Sequence, residues 1–139
     1  MRTKHNALKA NGYNTLRIQD NIMTHLLQIL KDHIHSVPTA PFTTDWQTLI
    51  SYSKQHEVAA IVYHKCKAFI PEPYLSEMHS LYSSVMFFYA NRQRLMEKIE
   101  SSLSDIQHFT IKGAAVAAFY PFPAFRTMGD TDNCGSHRG

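Results

Sequence analysis

Asp130 and Asp132 are separated by a single residue in the stretch Gly129-Asp130-Thr131-Asp132. In an extended backbone successive side chains point to opposite faces, so two acids at this spacing project from the same side. Like charges held that close repel unless a cation lies between them, and a pair of hard oxygen ligands suits Mg²⁺. Mg²⁺ bound in this way bridges the phosphates of a nucleoside triphosphate and helps to activate an attacking hydroxyl. On its own the triplet more often marks a polar turn, so its neighbours must decide.

The stretch Ile106-Gln107-His108-Phe109-Thr110-Ile111 is short, alternating and β-branched, and reads as a strand. Lys112-Gly113 closes it. Ala114 to Tyr120 is a run of small and apolar residues that predicts a short helix, stopped by Pro121-Phe122-Pro123. A strand, a glycine and a helix start form a phosphate-binding element, because Gly113 lets the backbone approach an anion and the free amides of the first turn point at it. Lys112 adds a positive charge beside the turn. Arg126, just before the acidic pair, either contacts a phosphate or ties the motif down through a structural salt bridge. Gly113 taken alone is equally a turn that needs a small residue.

The elements that must position these residues are helical. Residues 1–15 are polar, with Asn11-Gly12 as a turn signal, and predict a flexible tail. From Ile18 two apolar stripes recur at helical spacing: Ile22, Leu26 and Ile29, and beside them Met23, Leu27, Leu30 and Ile34. Val37-Pro38-Thr39-Ala40-Pro41 is a stiff connector. Thr44 or Asp45 caps a second helix carrying Trp46, Leu49, Ile50 and Ser53 along one side. His56-Glu57 interrupts the pattern, and Val58, Ala59, Ile61, Val62 and Cys66 form a third. Pro71-Glu72-Pro73 breaks the chain before a long helix from Tyr74 to about Ser104. Its stripe of aromatic and methionine residues, Phe88 and Leu95 included, is expected to pack as core. The organisation read from the sequence is therefore a tail (1–15), a helical region (16–104), the start of an α/β segment (105–132) and a polar tail (133–139).

Composition narrows the function classes. The chain has 139 residues, 44% apolar and 18% charged, with a net charge of +3, values ordinary for a soluble globular protein. Its Lys and Arg are dispersed, which argues against a dedicated, sequence-specific nucleic-acid binder. Cys66 and Cys134 match no zinc or redox spacing, and idle thiols suit a reducing, cytoplasmic compartment. Met1-Arg2-Thr3-Lys4-His5 is not followed by the apolar run of a secretory signal. The longest apolar run, Val85 to Ala90, is far short of the roughly 20 residues of a membrane span. Nine histidines are present, but His33 and His35 face different sides of a helix and cannot share a metal there.

The residues from Phe109 to Asp132 together resemble the signature of the uncharacterised nucleotidyltransferase family, part of the DNA-polymerase-β-like superfamily. The shared pattern is an apolar strand, Lys112-Gly113, a small-residue helix, Tyr120-Pro121, Pro123, Arg126, then Gly129-Asp130-Thr131-Asp132. Asp45-Trp46 and His56-Glu57-Val58 are similar to the family's helical leader, so the likeness spans roughly Thr44 to Asp132. The resemblance implies Mg²⁺ ligation and catalysis by Asp130 and Asp132. It implies nucleotide contacts at Lys112, Gly113 and Ala114, with Arg126 in support. Many superfamily members carry Gly or Ser where this chain has Ala114. The implied reaction is transfer of a nucleotidyl group from a nucleoside triphosphate to an unknown acceptor.

Beyond Asp132 the family pattern continues as an apolar strand, whereas Asn133-Cys134-Gly135-Ser136-His137-Arg138-Gly139 has no β-branched residue. A metal-bearing strand needs buried residues on its other face, and the superfamily's third carboxylate would come from a later strand. The expected fold is therefore a mainly α N-terminal region followed by a truncated α/β segment of polymerase-β-like type, weakly active or inactive alone. The alternative is a non-catalytic helical module that binds a protein partner. Apolar surface left by the incomplete sheet would favour self-association.

Overall fold

The computed structural model describes the backbone of residues 2–111, 113–126 and 132–135, and the side chains of residues 17–107 and 115–126. Helix α1 (Arg2–Ile34) begins well before the Ile18 start that apolar spacing indicates, where the sequence predicts a tail. Ala7, Leu8 and Ala10 are good helix formers, and a glycine such as Gly12 costs a helix only about 1 kcal/mol relative to alanine. Of the two stripes on α1 the first is core: Ile22, Leu26 and Ile29 are buried. Of the second, Leu30 is half-buried against that core, while Leu27 and Ile34 are 59% and 66% exposed. Helix α1 packs against α2 (Trp46–Gln55) and α3 (Ala59–Cys66).

Each of these junctions has a local cause. Asp45 caps α2 by accepting from the Thr48 amide at 3.2 Å and from its hydroxyl at 2.7 Å. Both α1 and α2 end through a non-glycine residue in the left-handed region, Ser36 with φ 55° and Glu57 with φ 57°. In each case the next amide reaches back across the last turn, Val37 to the Asp32 carbonyl at 3.0 Å and Val58 to that of Ser53 at 2.8 Å. The connector after α1 is fastened where Lys65 Nζ donates to the Val37 carbonyl at 2.5 Å. Phe42 then stacks on Trp46 at 5.5 Å and on His25 at 4.3 Å, closing α1 over the start of α2.

Helix α4 (Tyr74–Ser102) runs along α3 and touches α2. Met78 lies fully inside, beside Leu49, Val62, Cys66 and Ile70. Leu75, Leu81, Tyr82 and Val85 are half-buried against the same core. Farther along, the expected stripe holds only in part. Met96 is buried, but Phe88 is 70% exposed and Leu95 58% exposed, because α2 and α3 are too short to cover the whole length of a 29-residue helix. An exposed ion pair, Lys54 with Glu77, links α2 to α4 and adds little stability at such a position.

After α4 come β1 (His108–Ile111), the five-residue helix α5 (Gly113–Ala117), a 3₁₀ turn (Pro123–Phe125) and β2 (Asp132–Gly135). The strand starts two residues later, and the helix ends three residues earlier, than the pattern predicts. β1 and β2 pair antiparallel, with Ile111 opposite Asp132 and His108 opposite Gly135. Two short strands with one short helix are not a layered α/β domain, and the described chain is mainly helical. The 3₁₀ turn packs on α4, bringing the buried Phe125 into the helical core.

Candidate functional site

The motif residues divide by what the structure describes. Lys112 and Asp130 lie outside the described residues. Gly113 and Ala114 open α5 immediately after β1. Asp132 is the first residue of β2, and the antiparallel register sets it opposite Ile111, the residue that precedes Lys112-Gly113. The end of β1 and the second aspartate therefore meet at one end of the strand pair. Arg126 closes the 3₁₀ turn with its amide on the Pro123 carbonyl at 3.2 Å. Its guanidinium lies over the Tyr120 ring, 5.5 Å from the centroid, an aromatic contact that was not among the roles expected for it.

What holds this segment to the helices is a set of rings that sequence inspection passes over. Phe125 is only 5% exposed. Its ring centroid lies 5.2 Å from that of His64, 5.7 Å from His33 and 5.7 Å from Tyr82. Phe122 lies 4.6 Å from His64 and 5.6 Å from His33. The two histidines meet edge to face at 6.4 Å. His33 comes from α1, His64 from α3 and Tyr82 from α4, so three helices contribute to one cluster. No local pattern links these positions. The only available signal was a histidine, His33, adjoining the buried stripe of α1.

The cluster has a definite electrostatic character. Burial pushes the His33 imidazole below its usual range, with His64 and then Lys65 adding to the effect. Burial also lowers His64, assisted by Lys67 and Lys65. Both therefore favour the neutral ring. Close by, burial drives the Cys66 thiol up to about 12, with the Asp32 carboxylate adding to it, so Cys66 is not a nucleophile. Among the described residues no group of three or more His, Cys, Asp or Glu could hold a metal ion, and no helix is long and apolar enough to cross a membrane. Two shallow grooves run beside α4, one lined by Gln47, Ser51, Lys54 and Glu77 and the other by Tyr63, Lys67, Glu72 and His79. Neither groove includes a motif residue.

A family model described as an uncharacterised nucleotidyltransferase matches residues 43–137, more than half of the chain. No curated protein and no solved structure matches it. The matched span starts in the connector before the Asp45 cap, takes in α2, α3 and α4, and runs through both strands.

Proposed function

The chain belongs to the uncharacterised nucleotidyltransferase family, and from that premise we propose that it transfers a nucleotidyl group from a nucleoside triphosphate to a hydroxyl or phosphate acceptor with Mg²⁺ as cofactor. In this reading residues 105–135 are the beginning of a polymerase-β-like α/β layer, and the helices α2 to α4 are the leader that carries it. The observation that supports it most is the strand register. Opposing Ile111 and Asp132 brings the start of α5 and the acidic segment to the same end of the pair.

The donor set fits a hard divalent cation: two carboxylates one residue apart, on a backbone that is extended from Asp132 onward. Bound Mg²⁺ would neutralise phosphate charge and lower the barrier to attack. The chain's own residues would do the rest. Asp130 and Asp132 hold the cation. The backbone at Gly113 and Ala114 receives the triphosphate, and a methyl group at Ala114 leaves those amides accessible. Lys112 offsets the negative charge, and Arg126 supports the motif from the 3₁₀ turn. In the transfer the acceptor oxygen bonds to the α-phosphorus, the bond from that phosphorus to the oxygen bridging it to the β-phosphorus breaks, pyrophosphate leaves, and a hydroxyl acceptor gives up its proton to solvent. The test is transfer of an α-labelled nucleotide with pyrophosphate release, dependent on Mg²⁺ and abolished by a chelator.

A further inference from the structure

The Phe122–Phe125 segment is fastened to the helices by rings, and the fastening point directly precedes Arg126. Two histidines provide most of that contact, at centroid distances of 4.6 to 5.7 Å from the two phenyl rings. We propose that His33 and His64 are positioning residues whose neutral rings clamp the Phe122–Phe125 turn onto the helical leader, and whose protonation releases it. Any effect on transfer rests on the reading in the preceding subsection, whereas the clamp itself does not.

Neutral imidazoles pack against phenyl rings as aromatic partners. Charging them alters three things. First, His33 is 4% exposed, and its Nε2 is buried with no hydrogen-bond partner among the described residues. An imidazolium would carry a donor there with nothing to receive it. Second, two imidazolium rings 6.4 Å apart would repel. Third, the charged surroundings are mostly positive. Lys65 faces both histidines from α3 and Lys67 faces His64. Arg126 follows the turn and lies over Tyr120. From α4 come Tyr82, against Phe125, and His79, which reaches the cluster indirectly through Tyr63. Among the described residues the acid nearby is Asp32 on α1, which accepts from Gln28 Nε2 at 2.7 Å and acts on Cys66. Attraction of a single imidazolium to a phenyl face opposes release, but it does not cancel burial and mutual repulsion.

The direction of the pH effect follows from linkage. Both histidines titrate below their ordinary value when covered, so the released state binds more protons than the clamped one. Clamping is complete above the ordinary histidine pKa of about 6.5 and is lost as pH falls below it.

The test uses the full chain with a ¹⁹F label on the ring of Phe125, followed by NMR from about pH 7.5 to about pH 5.5, the range in which histidine titrates. The single Trp46 reports by fluorescence whether the helical core stays folded. The Phe125 resonance should move to a solvent-exposed position on acidification while Trp46 emission is unchanged, and a His33→Phe, His64→Phe chain should keep the buried position throughout. If Trp46 shows that this double variant does not fold, His64→Phe alone should make the transition shallower, from two protons toward one. A resonance that never moves, that moves only together with Trp46, that still moves in the folded double variant, or that keeps its steepness in His64→Phe overturns the proposal. All of these readouts stand whether or not the chain transfers nucleotides.

Discussion

Asp45 illustrates how much one exposed carboxylate can decide. It supplies the oxygen that the first turn of α2 lacks, and the Thr48 hydroxyl, then its amide, hold the carboxyl below its ordinary range. The associated stability is present above the ordinary carboxylate pKa and lost as pH falls through the lowered value. Replacing Asp45 with alanine should cost about 1 kcal/mol, read as a lower urea midpoint with an unchanged slope. Cys66 makes the opposite case, a reactive residue type silenced by position. With its thiol fully covered and raised to about 12, it should resist a thiol reagent in the native chain at neutral pH. In a Cys134→Ser chain, labelling should appear only with denaturant, as followed by mass spectrometry. Rapid native labelling of Cys66 would show that α3 opens far more readily than its packing implies.

At the scale of elements, the helices were largely legible because capping and breaking signals are local. The Asp45 cap, the break at His56-Glu57 and the start of α4 after Pro73 all follow from neighbouring residues. Which stripe of a helix is buried was less legible. Apolar spacing marked two stripes on α1 and continued along α4 to Leu103, where Met96 is buried but Phe88 and Leu95 are not; burial depends on where another helix lies, and periodicity carries no such information. One helix tests the distinction. Met78→Ala should cost roughly 2–5 kcal/mol, as expected for emptying a filled core position. Phe88→Ala, at a 70% exposed position of the same helix, should stay within about 0.5 kcal/mol. Chemical denaturation of the two variants side by side measures both. Similar losses would mean that the Phe88 face of α4 is covered in solution.

At the scale of the whole molecule, the helical leader and the motif segment are joined by contacts between distant parts of the chain. Lys112 and Asp130 lie outside the described residues, but the strand and the short helix after it could be read from residue order, because each is a short local pattern. The His33, His64, Phe122 and Phe125 cluster could not, because α1 and α3 bring its members together only on folding. The architecture thus pairs a helical body with the motif segment, whose Phe122 and Phe125 are seated on it through rings. The central claim is that the acidic pair at the end of that segment makes the chain a nucleotidyltransferase. The most direct measurement is Mg²⁺-dependent transfer of label from α-labelled nucleoside triphosphates, with pyrophosphate release, by the chain and by its Asp130→Asn, Asp132→Asn variant. The account predicts transfer above the protein-free control that the double variant loses while its helical fold, judged by circular dichroism, is retained. Transfer undiminished in that variant, or absent from the unaltered chain across all four nucleotides and a panel of hydroxyl and phosphate acceptors, would contradict it.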